Sequence, residues 1–173
     1  MAATNGQSAN ANNNPVVRGI CPAGWHVPTD EEWVTMENHV NNVPNDDMGS
    51  NSNNNTWRGT FAGKLATCAL PWKSSSAATT VGNPGNYSYG SPNVSGFSAL
   101  PAGGYYYSAD SGTSVYKFKF SENAAFFSST IVKINNNDRP CIRILKYNDT
   151  SVYRGAHNNY RKSSAFSVRC VRD

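Results

Sequence analysis

The side chains able to do chemistry are few, so the first question is whether any of them can act together. His26, His39 and His157 are widely spaced in the chain. His26 follows Trp25 at a tight turn and reads as a structural histidine that bonds the backbone. His39 falls on the polar side of a predicted helix, and His157 sits in a polar stretch with no candidate nucleophile nearby. Asp30, Glu31 and Glu32 are accounted for as charges at a helix start, where the helix dipole favours anions. No nucleophile, base and orienting acid assemble from this set, so no catalytic residue is assigned and an enzyme is not expected.

Val43-Pro44-Asn45-Asp46-Asp47 and Asn135-Asn136-Asn137-Asp138 offer the hard oxygens that calcium takes. Runs of Asn and Asp are more commonly turns, and neither a metal nor a cofactor is assigned. Cys21, Cys68, Cys141 and Cys170 are even in number and far apart, with no CxxC or spaced-histidine pattern beside them. That favours disulfides in an oxidising compartment over a zinc site. Buried thiols are the alternative for Cys68 and Cys141.

The stretch most suggestive of recognition is 147–165. Tyr147, Asn148, Asp149, Ser151, Tyr153, Arg154, His157, Asn158, Asn159, Tyr160, Arg161 and Ser163 form a mixture like that of an antibody paratope. Tyrosine gives large contact area at low entropic cost, while Asn and Ser adapt their hydrogen bonds. The expectation is a surface that binds a host or cell-surface protein or a glycan. Two readings compete with it: an ordinary hydrophilic loop, and the packing surface of a structural or assembly domain in a surface or fibre protein.

These residues need elements to position them. Thr29-Asp30-Glu31-Glu32 is a capping box, and Trp33, Met36 and Val40 recur on one helical face, which predicts a helix ending before Pro44. A shorter helix is predicted over Phe61–Cys68, with Phe61, Leu65 and Cys68 aligned. Residues 74–95 form a long irregular excursion rich in Ser, Thr, Asn, Gly and Pro, of the kind that is usually functional. Strands are predicted at Val16-Val17, Phe97–Leu100, Tyr105–Tyr107, Tyr116–Phe120, Ala125–Thr130, Cys141–Tyr147 and Phe166–Val171. Helices early and strands late make an α+β domain over 15–173, behind a disordered Asn-rich leader at 1–14.

Composition agrees. Of 173 residues, 38% are hydrophobic and only 15% charged, so the polarity comes from neutral Asn and Ser, as suits a loop-rich extracellular domain. The net charge of +4 is scattered rather than gathered into a stripe, which argues against nucleic acid. No apolar run approaches the roughly 20 residues a bilayer demands, so membrane insertion is not expected. The opening residues lack the basic and apolar regions of a signal peptide. The expected location is secreted, on the cell surface or on a phage particle.

Gly19-Ile20-Cys21-Pro22-Ala23-Gly24-Trp25-His26-Val27-Pro28-Thr29 resembles the opening signature of the Fibrobacter succinogenes major paralogous domain family. Ala62-Gly63-Lys64-Leu65 with Trp72, Gly96-Phe97-Ser98-Ala99-Leu100-Pro101-Ala102-Gly103 and Phe127-Ser128-Ser129-Thr130 resemble its later blocks. Val152-Tyr153-Arg154 and Phe166–Asp173 resemble its ending. Three positions depart from the pattern: Phe126-Phe127 where a Trp-containing pair is usual, Ser95 in place of an acid, and Ala165 in place of Gly.

The resemblance implies a C-type-lectin-like fold, with two helices, short twisted antiparallel sheets and long irregular loops. Its terminal strands pair, so a Cys21–Cys170 bridge is implied, contributing on the order of 4–5 kcal/mol in the chain-entropy model, along with a second bridge, Cys68–Cys141. Domains of this fold are the usual targets of diversity-generating retroelements, which rewrite adenines near a gene's 3′ end. Within 148–165, only Lys162 lies outside the residues reachable from an Asn template codon, so this chain is a candidate variable protein.

Overall fold

The computed structural model describes residues 2–4, 16–41, 55–67, 71–83, 93–108, 115–117, 119–161 and 163–173. The chain is α+β. Helix α1 spans Asp30–Asn41 and α2 spans Ala62–Leu65. Strands β1 (Trp25–His26), β2 (Thr56–Arg58), β3 (Tyr106–Ser108), β4 (Val115–Lys117), β5 (Asn123–Ile134), β6 (Asn137–Lys146), β7 (Val152–Gly155) and β8 (Val171–Arg172) complete it.

The capping box at the start of α1 forms as its residues predict. Thr29 N donates to Glu32 Oε2 at 2.8 Å, and Glu32 N donates to Thr29 Oγ1 at 3.2 Å. Trp33 is buried, and Met36 and Val40 pack against the same core. The predicted end of this helix before Pro44 lies outside the described residues.

The long β5–β6 hairpin turns at Asn135 and Asn136, with φ of 48° and 60°. Two-residue hairpin loops need positive φ at both central positions, which Asn tolerates better than other side chains. This Asn run is therefore a turn. β7 pairs antiparallel with β6 and β2, giving a four-stranded sheet in the order β2-β7-β6-β5.

Alternation along these strands creates two faces. One carries Ala124, Phe126, Leu145 and Val152 into a core with Trp33, Phe61, Leu65 and Trp72. The other carries Ala125, Phe127, Ile142, Ile144 and Tyr153, over which Tyr160, Phe166 and Val168 pack.

The two ends of the domain meet. β1 pairs antiparallel with β8, Trp25 opposite Arg172 and His26 opposite Val171. Cys21 and Cys170 are disulfide-bonded with their Cα atoms 5.8 Å apart. The second bridge is corrected: Cys141 is a buried thiol whose S–H donates to Asp30 Oδ1 at 3.1 Å. Cys68 lies outside the described residues.

Other expectations change in detail. Residues 2–4, expected within a disordered leader, form a 3-10 turn whose Ala3 carbonyl accepts from Ile20 N at 2.9 Å; residues 5–14 lie outside the described set. Val17 forms no strand but accepts one hydrogen bond from Val27 N at 2.9 Å. The segments around Phe97–Leu100 and Phe166–Val171 are mostly irregular, tied by bridges at Ala66–Ala99 and Phe126–Ser167. Strands β2 and β7 were not foreseen. Asp46-Asp47 and residues 84–92 of the 74–95 excursion lie outside the described residues.

Candidate functional site

α1 reaches the sheet through charge. Asp30 stands in the first turn of α1, as read from the sequence, and at 3% exposed it meets protein side chains rather than water. Arg154 Nε donates to both of its carboxylate oxygens at 3.0 Å, Arg154 Nη2 donates to Oδ2, and Arg143 Nη1 donates to Oδ1 at 2.7 Å. Arg143 Nε donates to Glu37 Oε1 at 2.5 Å. Arg143 and Arg154 sit opposite one another on neighbouring strands, so the Asp30 carboxylate bridges both, with Glu37 as the second acid on Arg143.

The titration behaviour follows from this packing. Burial pushes the Asp30 carboxyl up, but its bonds to Arg154 and Arg143 outweigh that and hold it well below the usual range. Burial pushes Glu37 up despite Arg143. Burial, then the Asp30 charge, pushes the Cys141 thiol far above its ordinary value, so it carries no thiolate to act as nucleophile or metal ligand. Burial, followed by repulsion from Arg154 and Arg143, lowers Arg58 to about 10. This cluster is scaffolding, and Arg154 belongs to it. Its expected role in contacting a ligand is corrected, because it is 2% exposed and turned inward.

Tyr153, next in the chain, points to the opposite face. Its hydroxyl donates to Asn55 Oδ1 at 3.0 Å, and burial raises its pKa to about 12. Gly155 makes room for that partner, because a Cβ there would stand 2.9 Å from the Asn55 Cα. The Tyr153 ring lies 5.4 Å from Trp57 and 6.3 Å from Tyr160. Tyr160 in turn contacts Tyr106 at 5.6 Å and Phe166 at 5.7 Å, and Phe166 meets Phe127 at 5.0 Å. Lys146 Nζ sits 4.2 Å above the Trp57 ring. Tyr153 itself is 8% exposed, so it supports the others rather than presenting a surface, whereas Trp57 is 38% exposed.

The predicted site residues therefore divide. Tyr147, Asn148, Asp149 and Ser151 form the turn entering β7, whereas His157, Asn158, Asn159, Tyr160, Arg161 and Ser163 follow its far end, roughly 13 Å away along the strand. The first turn is tied down, with Asn148 exposed and the rest half-buried: Gly82 N donates to Tyr147 O at 2.6 Å, Ala62 N to Thr150 O at 2.9 Å, and Ser151 N to Asp149 Oδ1 at 2.9 Å. The second excursion is outward. His157, Asn158, Arg161 and Ser163 are exposed, and Asn159 and Tyr160 are half-buried. Tyr160 N donates to His157 O at 2.9 Å, and paired bonds between Ala165 and Tyr105, both 2.8 Å, clamp its end.

Trp57, Asn55, Lys146, Tyr106 and Phe166 join this face, and none was singled out as a contact residue from the sequence. Trp57 lies just after an Asn run that gives no strand signal, so only the structure shows it beside Tyr153.

His26 is also a scaffold group. Nδ1 lies 2.7 Å from Asp173 Oδ1 and Nε2 lies 2.8 Å from Glu32 Oε1, so it bonds side chains rather than the backbone. Both partners are carboxylates, so the site favours the ring with protons on both nitrogens, and the His26 pKa is raised. Among the described residues, no group of three or more His, Cys, Asp and Glu is placed to hold a metal ion, and no helix is long and apolar enough to cross a membrane.

The architecture is thus a disulfide-closed α+β domain with an ionic interior and an aromatic outer face. The chain belongs to the Fibrobacter succinogenes major domain family, whose profile matches residues 5–172. No curated protein and no solved structure is significantly similar to it.

Proposed function

We propose that this domain is a non-catalytic binding module with a C-type-lectin-like fold, carried on a bacterial or phage surface. Its contact face is the aromatic surface around Trp57 and Tyr160, rimmed by His157, Asn158, Arg161 and Ser163. Its partner is a host or cell-surface protein, or a glycan.

The observation that carries this reading is the unbroken run of rings from Trp57 through Tyr153 and Tyr160 to Phe166, half open to solvent beside exposed polar side chains. Partly exposed aromatics held in fixed geometry are what contact surfaces use, because little rotamer freedom is lost on binding. The paired terminal strands and the Cys21–Cys170 bridge support both the C-type-lectin-like reading and life in an oxidising, extracellular setting. If a retroelement diversifies this gene within 148–165, the exposed positions Asn148, His157, Asn158, Arg161 and Ser163 are the ones it can rewrite without disturbing the interior. Val152–Ala156 are buried, and Arg154 neutralises Asp30.

The test is a glycan array together with pull-down from cell-envelope extracts, comparing the native chain with Trp57→Ala/Tyr160→Ala. The expected result is at least a tenfold loss of the captured partner while near-ultraviolet dichroism is retained. Undiminished capture by the double variant would remove this face from consideration. β2 is an edge strand of its sheet, so the same rings are also placed to pack on a second copy. Concentration-dependent sedimentation abolished by the double variant would make the module an assembly domain instead.

A further inference from the structure

A second concavity lies away from the aromatic face, beside α1. A cavity of about 500 Å3 opens between α1, the 94–97 loop and the segment that carries Arg169. Its apolar lining is Met36, Val40, Val94 and Phe97. A smaller cavity of about 120 Å3 shares Met36, Phe97 and Arg169 with it and ends on Trp33. The two are compartments of one groove.

The polar lining is one-sided. Among the described residues, the ionisable groups lining the larger compartment are His39, Lys64 and Arg169, and none of these is acidic. The acid of the smaller compartment, Glu32, is already engaged by Thr29 and His26. Lys64 Nζ donates to Val40 O at 3.1 Å, which holds it at the C-terminal turn of α1 and uses one of its three donors. The Arg169 guanidinium lies 4.8 Å from the Phe97 ring centroid, so its fork is oriented by the wall of the groove. Ser95 Oγ donates to Lys64 O at 2.7 Å and ties the 94–97 loop to α2.

We infer that this groove binds a small hydrophobic carboxylate. The apolar body lies between Met36 and Phe97 with its end toward Trp33, and the carboxylate is held by Lys64 and Arg169. The size matches the roughly 300–1,000 Å3 of small-molecule sites. A neutral apolar ligand would strip water from two cations without replacing it, whereas a carboxylate supplies charge-assisted bonds to both. A sugar would leave its hydroxyls against Met36, Val40 and Phe97, so the groove is distinct in chemistry from the aromatic face and independent of its role.

The test uses 4-phenylbutyrate and its neutral amide as probes, titrated at low salt and followed by tryptophan fluorescence, to which Trp33 contributes, and by calorimetry. The acid is expected to saturate at millimolar concentration or below, and the amide to bind at least tenfold more weakly. Lys64→Gln/Arg169→Gln is expected to bring the acid down to the affinity of the amide. Met36→Trp is expected to fill the trough and abolish both. Equal binding of acid and amide by the native chain, no saturation by the acid at millimolar concentration, or acid binding unchanged in the double glutamine variant would overturn the assignment. The first two outcomes need no variant to fold.

Discussion

Arg154 and Asp30, 124 residues apart, are joined by a guanidinium whose Nε lies 3.0 Å from each carboxylate oxygen, inside the domain. The pair fixes α1 to β7, and Arg143 repeats the link to β6 at 2.7 Å. Because strand residues alternate, anchoring Arg154 inward also sets Tyr153 against the outer face. Asp30→Asn leaves two buried guanidinium groups short of a counter-charge, a loss that typically costs about 3–5 kcal/mol. Denaturant unfolding should show that loss for Asp30→Asn. Glu31→Gln, on the exposed side of the same turn, should shift stability by no more than about 0.5 kcal/mol. Equal effects from the two variants would mean that the cluster does not hold the helix.

The His26 bridge predicts a pH dependence. Burial lowers the His26 pKa, but the bonds and charges of Asp173 and Glu32 outweigh it and raise the net value above 6.5. A group raised in the folded state contributes fully below its unfolded value of 6.5 and loses that contribution as pH rises through the folded value. Glu32 is shifted the other way: burial raises it, yet Thr29 and His26 lower the net value below 4.5. Its contribution is present above 4.5 and lost as pH falls through the folded value. The corner joining β1, β8 and α1 is therefore firmest between about pH 4.5 and 6.5. His26→Gln should flatten the decline in unfolding free energy as pH rises above 6.5. A native profile already flat over that range would contradict the bridge.

What the sequence revealed depended on whether the signal was local. The Thr29–Glu32 box, the Trp33/Met36/Val40 stripe and the Asn135–Asn136 turn each depend on neighbours a few residues away, and each forms as read. Pairing of the chain ends followed from the resemblance rather than from periodicity. Strand β7 was hidden because Val152-Tyr153-Arg154-Gly155 is short, polar in composition and buried on both faces. An arginine reads as surface until its carboxylate is known, and Asp30 is remote in the chain. The same nonlocality concealed Trp57 as the neighbour of Tyr153 and kept Cys141 looking like half of a disulfide.

The cysteines give a chemical prediction. The Cys21–Cys170 bridge closes a separation of 149 residues, for which the chain-entropy model gives about 5 kcal/mol, while measured losses on removal run from about 2 to 5 kcal/mol. Cys21→Ala/Cys170→Ala should lose stability within that range. In the native chain, Cys141 should stay unmodified by an alkylating reagent for as long as the domain remains folded, because its thiol is wholly buried and held protonated. In denaturant it should react fully. Rapid labelling of Cys141 under native conditions would show that the Asp30 cluster opens readily.

The division of 147–165 into inward and outward parts predicts where the chain tolerates change. His157, Asn158, Arg161 and Ser163 project from an excursion clamped at both ends by main-chain bonds, to β6 and β2 through β7 and to Tyr105 through Ala165. Substituting them removes surface contacts and leaves the clamps intact, so each change should cost no more than about 0.5 kcal/mol. Val152→Ala empties volume beside Leu145 and should cost about 1–3 kcal/mol. Arg154→Ala strands the Asp30 carboxylate with one partner fewer and should cost about 3–5 kcal/mol. Gly155→Ala drives a methyl group against the Asn55 backbone and should separate β7 from β2, loosening Trp57. A saturation library of 147–165 sorted for folded display would test all seven positions at once. Depletion is expected at 152–156 and acceptance at 157, 158, 161 and 163. Uniform acceptance across both groups would mean that β7 does not carry the outer face, and the aromatic surface would lose its rigid support.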